Sequence, residues 1–382
     1  MRIALLGAGL MGRSVAHDLL RNSGLEELRL ADADETRLDA LAGRLDDPRV
    51  RTERLDAADE RAVARWIEGC DALVSAASYR LNLGLARAAI SAKTHFTDMG
   101  GNSEVVAREL ALDDEAKRLG VTLIPDMGLA PGLVNVLTRR AAELTDRLEA
   151  VRLLVGGLPQ TRRGEWEYEL VFSAEGLVNE YREPCMVLRE GKLVTVAPLT
   201  EVETVRDPDL GELEAFHTSG GSSTLPKTFA GRVRSLEYKT LRYPGHARLV
   251  RALFELGLDG EGEVEVDGRR VRPRRLLEKL ITDKLAGEGR DLVVLHGEFT
   301  GERDGGPLTL SCRLLDYADE ETGLTAMMRC TGFPVAVTAL MLSDGRITER
   351  GALPPEKAIP AAELLHELDR RGISIPFTEI AP

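Results

Sequence analysis

Cysteine is scarce, and its spacing suits neither metal nor redox work. The 382 residues hold four, Cys70, Cys185, Cys312 and Cys330. No two stand at CxxC or metal-ligand spacing, so the four read as reduced core thiols and no disulfide framework is expected. No HExxH pair and no nucleophile elbow occurs, which sets aside covalent serine chemistry and leaves no catalytic metal expected. Positive charge is in deficit: 50 Lys and Arg against 63 Asp and Glu leave a net charge of −13. An acidic surface argues against nucleic acid and anionic membranes as partners. No apolar run approaches the roughly 20 residues a membrane helix needs. No signal peptide fits before the first strand-like run, so a cytoplasmic protein is expected. There is no internal repeat and no low-complexity tail.

What remains is a globular composition, 43% hydrophobic and 30% charged, on a length that suits two domains. Residues 3–6 are a short apolar run ending at Gly7. A helical pattern follows, with Met11, Val15 and Leu19 at intervals of four. Residues 28–31 read as a strand that ends at Asp32. Helices over 36–45, 61–67, 82–91 and 104–119 then alternate with strands over 71–76, 95–99 and 121–124. That alternation predicts a Rossmann-type, doubly wound parallel sheet. After Pro131-Gly132 and a helix over 133–144 the pattern changes. Strands are expected at 151–155, 193–196, 236–241, 292–295 and 308–315, with helices at 247–258 and 275–285. This is an α+β domain with a mixed or antiparallel sheet. Residues 327–342 read as one more strand and an apolar helix that returns to cover the first sheet. The expected division is 1–130 with 326–382 for a discontinuous dinucleotide-binding domain, and 131–325 for a substrate and catalytic domain.

The motif Gly7-Ala8-Gly9-Leu10-Met11-Gly12 fits GxGxxG. It follows a strand and opens a helix, the context that gives it meaning. Gly7 permits a tight turn, Gly9 lets the backbone approach a pyrophosphate, and Gly12 lets helix and strand pack closely. Leu10 and Met11 complete this cofactor loop at a helix N-terminus, where N–H groups meet phosphates. Asp32 lies 20 residues beyond Gly12. An acid there accepts from ribose hydroxyls and repels a 2′-phosphate. Ala33 follows it rather than an arginine, so NAD is the expected cofactor. Ala76, Ala77 and Ser78 are small enough to pass beneath the ribose and nicotinamide, although close packing alone would favour them equally. Asp34 is expected to cap the next helix.

Ligands of such sheets lie outside the carboxyl ends of the strands. Asp98 and Asp126 stand there, with turn and cap roles competing. In the second domain, residues 237–246 gather Lys239, Arg242 and His246. Arginine suits capture of a carboxylate and histidine suits proton transfer; a solvated strand end is the plainer alternative. The hydroxyl-rich stretch 217–224 is either a lid over a ligand or a surface loop.

Six motifs then run in chain order: GAGLMG at 7–12, DMGLAPG at 126–132, FSAEGLV at 172–178, KTLRYPGH at 239–246, DEETGLTA at 319–326 and TGFP at 331–334. In these the sequence resembles the saccharopine dehydrogenase family, most closely its lysine 6-dehydrogenase branch. The resemblance implies a catalytic domain inserted after the sixth Rossmann strand, a C-terminal helix returning to the first domain, and a homodimer. It also implies oxidation of a C–N bond of a lysine-like amino acid. Hydride passes from the carbon bearing the terminal amine to NAD, and water then releases ammonia and the semialdehyde. The amine must first lose a proton, because an ammonium has no lone pair to drive the step. His246, Asp126 and Lys239 are the candidate bases, in that order. Arg242 would hold the α-carboxylate, and Glu175 or Asp98 the α-ammonium. One alternative is a saccharopine-forming or saccharopine-cleaving dehydrogenase with a second carboxylate clamp at Arg162 or Arg182. The other is an NAD-binding protein without turnover.

Overall fold

The computed structural model describes residues 1–22, 24–287 and 289–380, so the last two residues of the expected segment 326–382 lie outside the described residues. The chain divides into two units, Met1–Glu143 with Met328–Ser374, and Leu144–Met327 with Ile375–Pro382.

The first unit alternates strand and helix: β1 (Arg2–Leu6), α1 (Leu10–Asn22), β2 (Glu27–Asp32), α2 (Glu35–Leu45), β3 (Val50–Arg54), α3 (Glu60–Trp66), β4 (Ala72–Ser75), α4 (Tyr79–Ala92), β5 (His95–Asp98), α5 (Ser103–Leu110), α6 (Asp113–Leu119), β6 (Thr122–Ile124) and α7 (Leu133–Glu143). These six strands stand in the order β6-β5-β4-β1-β2-β3, and residues Gly351–Ala352 of the returning segment add a seventh beside β6; all pair in parallel. The order reverses between β1 and β4, and that switch point is where a doubly wound sheet opens a ligand crevice. β1 and β4 are almost wholly buried apolar runs, as central parallel strands must be. β3 was not expected, and its residues Val50-Arg-Thr-Glu-Arg54 show why: it is the sheet's exposed edge and has no apolar pattern. The helix expected over 104–119 is two. Asp113, Asp114 and Glu115 start a new first turn, and Asp113 Oδ1 accepts from the distant Ala352 N–H at 3.0 Å.

The second unit follows with β7 (Arg147–Pro159), α8 (Ala174–Glu180), β8 (Cys185–Arg189), β9 (Lys192–Val196), β10 (Glu203–Asp207), β11 (Gly211–His217), α9 (Leu225–Phe229), β12 (Ser235–Arg242), α10 (His246–Glu255), a hairpin of β13 (Val264–Val266) and β14 (Arg269–Val271), α11 (Pro273–Lys284), β15 (Asp291–Arg303) and β16 (Gly306–Tyr317). Then come α12 (Ala326–Ser343), β17 (Gly351–Ala352), α13 (Pro355–Ala358), α14 (Ala361–Asp369) and β18 (Phe377–Ile380). β12 pairs parallel with β7, while β7/β15, β15/β16, β16/β18 and β10/β11 are antiparallel, so the nine-stranded sheet is mixed.

Two boundaries differ from expectation. Helix α7 stays with the first unit because it binds the returning segment: Asn135 Nδ2 donates to Glu356 Oε2 at 2.9 Å and Arg139 to the Lys357 carbonyl. Residues 375–380 rejoin the second unit because β18 extends its sheet beside β16. The strand expected before the apolar helix of 327–342 is absent. Asp291 accepts the N–H groups of Ala326 and Met327, and α12 starts there as one helix. It is apolar and long enough to cross a membrane by those measures, contrary to expectation, yet 78% of it is buried within the fold. That is a core helix.

Candidate functional site

At the end of β1 the three glycines differ in what surrounds them. Gly7 has φ +107°, and a Cβ there would lie 2.6 Å from the Ala76 carbonyl oxygen. The chain leaving β4 therefore passes directly beneath the turn, and Ala76 N–H donates to the Leu6 carbonyl at 2.7 Å. A Cβ on Gly12 would fall onto the Gly7 carbonyl oxygen. Gly9 faces open space, with nothing within 4 Å, and Leu10 beside it is 59% exposed. Met11 follows in the first turn of the 13-residue helix α1, whose leading N–H groups have no partner within the helix. Asp32 ends β2 with its carboxylate held from two sides, by Ala8 N–H at 2.7 Å and Asp34 N–H at 2.8 Å. Asp34 caps α2 through the Arg37 N–H. Ala77 continues under Gly7, and Ser78 stands at the start of α4. An open glycine at a helix N-terminus and an anchored acid at the next strand end fit a dinucleotide. Arg54, on the unexpected β3, was missed; it is exposed, and its Nε donates to the Ala33 carbonyl at 3.3 Å.

The two strand-end acids prove to be buried. Asp98 Oδ1 accepts from Gly100 N–H at 2.6 Å and from Asp126 N–H at 3.2 Å. A fully buried carboxylate engaged in this way fastens loops together; it does not meet a substrate ammonium, so its expected substrate role is withdrawn. Asp126 is buried with φ +63°, and its Oδ1 occupies the space that a Cβ on Gly100 would need. That walled-in setting removes it as an accessible base. Glu109 of α5, unnoticed in the sequence, lies beside both acids.

In the second unit Arg242 and His246 come together through Tyr181, which the sequence did not single out. Arg242 Nε donates to Tyr181 Oη at 3.0 Å, and Tyr181 Oη meets His246 Nε2 at 3.0 Å. Arg242 also donates to the Leu241 carbonyl and lies 4.9 Å from the centre of the Tyr168 ring. Only 3% of Arg242 and 2% of His246 is exposed. The histidine opens α10, where Glu214 takes the N–H groups of Gly245 and Ala247. Burial and then the Arg242 charge push the imidazole down to about 3, so it is neutral and a weak base. Arg242 is spoken for by its own partners and is not a free carboxylate clamp. Its neighbour Glu180, the last residue of α8, keeps part of its surface open. Burial raises that carboxyl to about 7 against the pull of Arg242. Glu175 stands in the first turn of α8, and its charge acts on Arg274.

Lys239 is also removed from the list of bases. Its Nζ donates to Glu203 at 2.7 Å and to the Glu201 carbonyl at 2.9 Å, so the amine is already engaged. It belongs to an ion-pair network on one face of the sheet. There Glu201, His217 and Glu237 bring three ligand atoms within 4.8 Å of one another, but Arg189 and Arg152 already answer the two carboxylates. The 217–224 stretch is neither lid nor surface loop. Most of it is buried: Thr218 bonds Thr240 at 2.7 Å, Ser219 N–H donates to the Glu180 carbonyl, and Gly221 lies against the Tyr238 ring. Arg162 and Arg182 pair with Glu167 and with Asp259 and Glu261. A cavity of about 20 Å³ beside His246, Tyr168 and Tyr181 has room for one water and not for an amino acid. A groove of about 340 Å³ on the same face of the sheet as that network is large enough for one, but no residue of the six motifs lines it, and Arg152, His296 and Arg313 there already face Glu203, Glu237 and Asp207.

Known proteins are similar to this chain over its whole length. The model of the saccharopine dehydrogenase NADP binding domain matches residues 3–124, and that of the saccharopine dehydrogenase C-terminal domain matches residues 128–373. The NADP(+)-dependent, L-glutamate-forming saccharopine dehydrogenase of Saccharomyces cerevisiae is 22% identical over 99% of both chains. The carboxyaminopropylagmatine dehydrogenase of Synechocystis is 23% identical over 99% of this chain and 97% of its own. The solved apo yeast saccharopine dehydrogenase has the same fold, with a TM-score of 0.81 at 21% identity and complete coverage of both chains.

Proposed function

The chain belongs to the saccharopine dehydrogenase family, and from that premise we propose that it oxidises a C–N bond of a carboxylate-bearing, N-substituted amine of the saccharopine type, with NAD as acceptor. Membership makes it an oxidoreductase that uses a nicotinamide dinucleotide. The substrate and the choice of NAD are our own reading. One observation carries it: the open Gly9 and the anchored Asp32 form a dinucleotide cradle in a chain that aligns end to end with such dehydrogenases. The names of those relatives support an N-substituted amine over free lysine, which reverses the order the sequence suggested.

The bound nicotinamide supplies the hydride acceptor; the residues of the chain do the rest. The N–H groups of α1 would hold the pyrophosphate and Asp32 the ribose hydroxyls. The substrate nitrogen gives its proton to a base as hydride leaves the adjoining carbon and C=N forms. Water then adds across C=N, and an amine and a carbonyl compound separate. Glu180 is the base we assign, in place of His246, Asp126 and Lys239, because burial poises its carboxyl near neutrality while the residue keeps part of its surface open. The adjacent Arg242 charge stabilises its carboxylate form.

The test supplies saccharopine and L-lysine separately to the purified chain with NAD or NADP, and follows reduced-cofactor absorbance. Formation of reduced cofactor with saccharopine is expected. A rise with lysine alone restores the terminal-amine reaction, and silence with both, despite NADH binding, defeats the catalytic assignment.

A further inference from the structure

Glu109 is the one residue of α5 that turns a carboxyl group inward among acids. It is 1% exposed, and neither Oε1 nor Oε2 has a hydrogen-bond partner of good geometry. Asp98 Oδ2 is in the same condition. The charges acting on Glu109 are Asp98 and Asp126. Two adjoining buried carboxyl groups resist ionising together. Which one holds the proton follows from the donors. Asp98 Oδ1 has two backbone N–H groups, Gly100 at 2.6 Å and Asp126 at 3.2 Å, and Glu109 has none, so Asp98 carries the charge. A protonated Glu109 then has one O–H to give, and Asp98 Oδ2 is the adjoining acceptor still open.

The consequence lies at the carboxyl ends of β5 and β6, on the β4 side of the switch point between β1 and β4. Asp98 ends β5; its carboxylate gathers Gly100 and Asp126, and its carbonyl takes the Met127 N–H at 2.7 Å. Gly100 sits at φ +74°, which glycine adopts freely, whereas Asp126 at +63° is in a conformation that such fastening helps to hold. We propose that Glu109 is a positioning residue of the dinucleotide crevice: as a neutral acid it donates to Asp98 Oδ2 and steadies the carboxylate that ties the loops after β5 and β6 together. Burial first, and then the Asp98 charge, push the Glu109 carboxyl far above its ordinary value. This role rests on the dinucleotide assignment of the first unit and not on which amine is oxidised.

Wild type, Glu109→Gln and Glu109→Leu decide it. At mildly alkaline pH the infrared difference spectrum of wild type minus Glu109→Gln should show the carbonyl band of a protonated carboxylic acid, shifted in D2O; its absence overturns the proposal. NADH titration reads the positioning. Glutamine keeps an uncharged donor and should bind NADH within about threefold of wild type, whereas leucine, similar in size but without a donor, should weaken binding by about tenfold or more. Equal affinity in all three proteins, or a glutamine variant as weak as leucine, overturns the role. Should the leucine variant not fold, the band and the glutamine variant still decide. Failure of the wild type to bind NADH or NADPH would sink the dinucleotide assignment itself, and this role with it.

Discussion

Replace Gly12 with alanine and the new methyl must share space with the Gly7 carbonyl oxygen. Non-bonded carbon contacts settle near 3.5–4 Å, so the overlap exceeds about 1 Å. The obstacle is backbone and cannot swing aside as a side chain would, which puts the cost at the upper end of overpacking, about 3 kcal/mol. For a unit of about 190 residues, a loss of about 3 kcal/mol lowers Tm by roughly 6–12 °C. Gly9 is the opposite case. Nothing lies within 4 Å of its would-be Cβ, and its φ is not positive. Alanine there narrows the unfolded ensemble and should hold or raise stability by about 0.4–1 kcal/mol. The same methyl stands where a pyrophosphate must approach the backbone, so NADH affinity should fall by about tenfold or more. Thermal melts and NADH fluorescence titrations on the two single variants separate these outcomes. A Gly9→Ala protein that loses stability, or a Gly12→Ala protein that melts with the wild type, would refute the roles given to both glycines.

Three further expectations concern charge. If Glu180 is the base, its carboxylate form is the active one. Because its folded pKa is raised to about 7, kcat/KM should climb with pH up to about 7 and level off above. A base titrating at about 3, as His246 does, would leave that range flat. Glu180→Gln should cost about a hundredfold or more and abolish the limb; an unchanged profile removes Glu180. NADH should bind more tightly than NADPH by about tenfold or more, and Asp32→Ala should narrow that gap. Tighter NADPH binding that Arg54→Ala destroys would hand the 2′-phosphate to Arg54. Finally, Arg371 reaches Asp18 at 2.7 Å where both side chains are buried. Arg371→Leu should cost about 3–5 kcal/mol in chemical denaturation, and the double variant Asp18→Leu/Arg371→Leu much less. A double-variant loss equal to the sum of the Asp18→Leu and Arg371→Leu losses would mean the pair is not coupled.

Much of the first unit was legible because central parallel strands announce themselves as buried apolar runs, as residues 3–6 do. The failures share one cause, which is that the deciding partner is remote in sequence. β3 is an edge strand whose identity comes from pairing with β2, not from any pattern in Val50–Arg54. The start of α12 is set by Asp291, 35 and 36 residues upstream of the amides it accepts. An all-apolar stretch gives no period from which to tell strand from helix, so only that tertiary cap decides.

The candidate site divides on the same physics. Glycines and Asp32 were identifiable because their roles follow from φ, Cβ and position in a strand–turn–helix unit, all local properties. A base is different, since it needs an unengaged lone pair, and engagement is a property of neighbours. Lys239 and Arg242 have the expected residue types, yet Glu203 engages the first and Tyr181 with the Leu241 carbonyl occupies the second. Glu180 carried no signal beyond being one of many acids. What distinguishes it is burial beside a guanidinium with part of its surface still open, and the fold creates that combination by ending α8 next to β12. Glu109 is the same lesson with the sign changed: on a helical surface pattern it reads as one more solvated acid, but beside Asp98 the only charge-neutral state available to it is the protonated one. Residue type therefore limits which chemistry a position can perform, and the desolvation of that position decides whether it does.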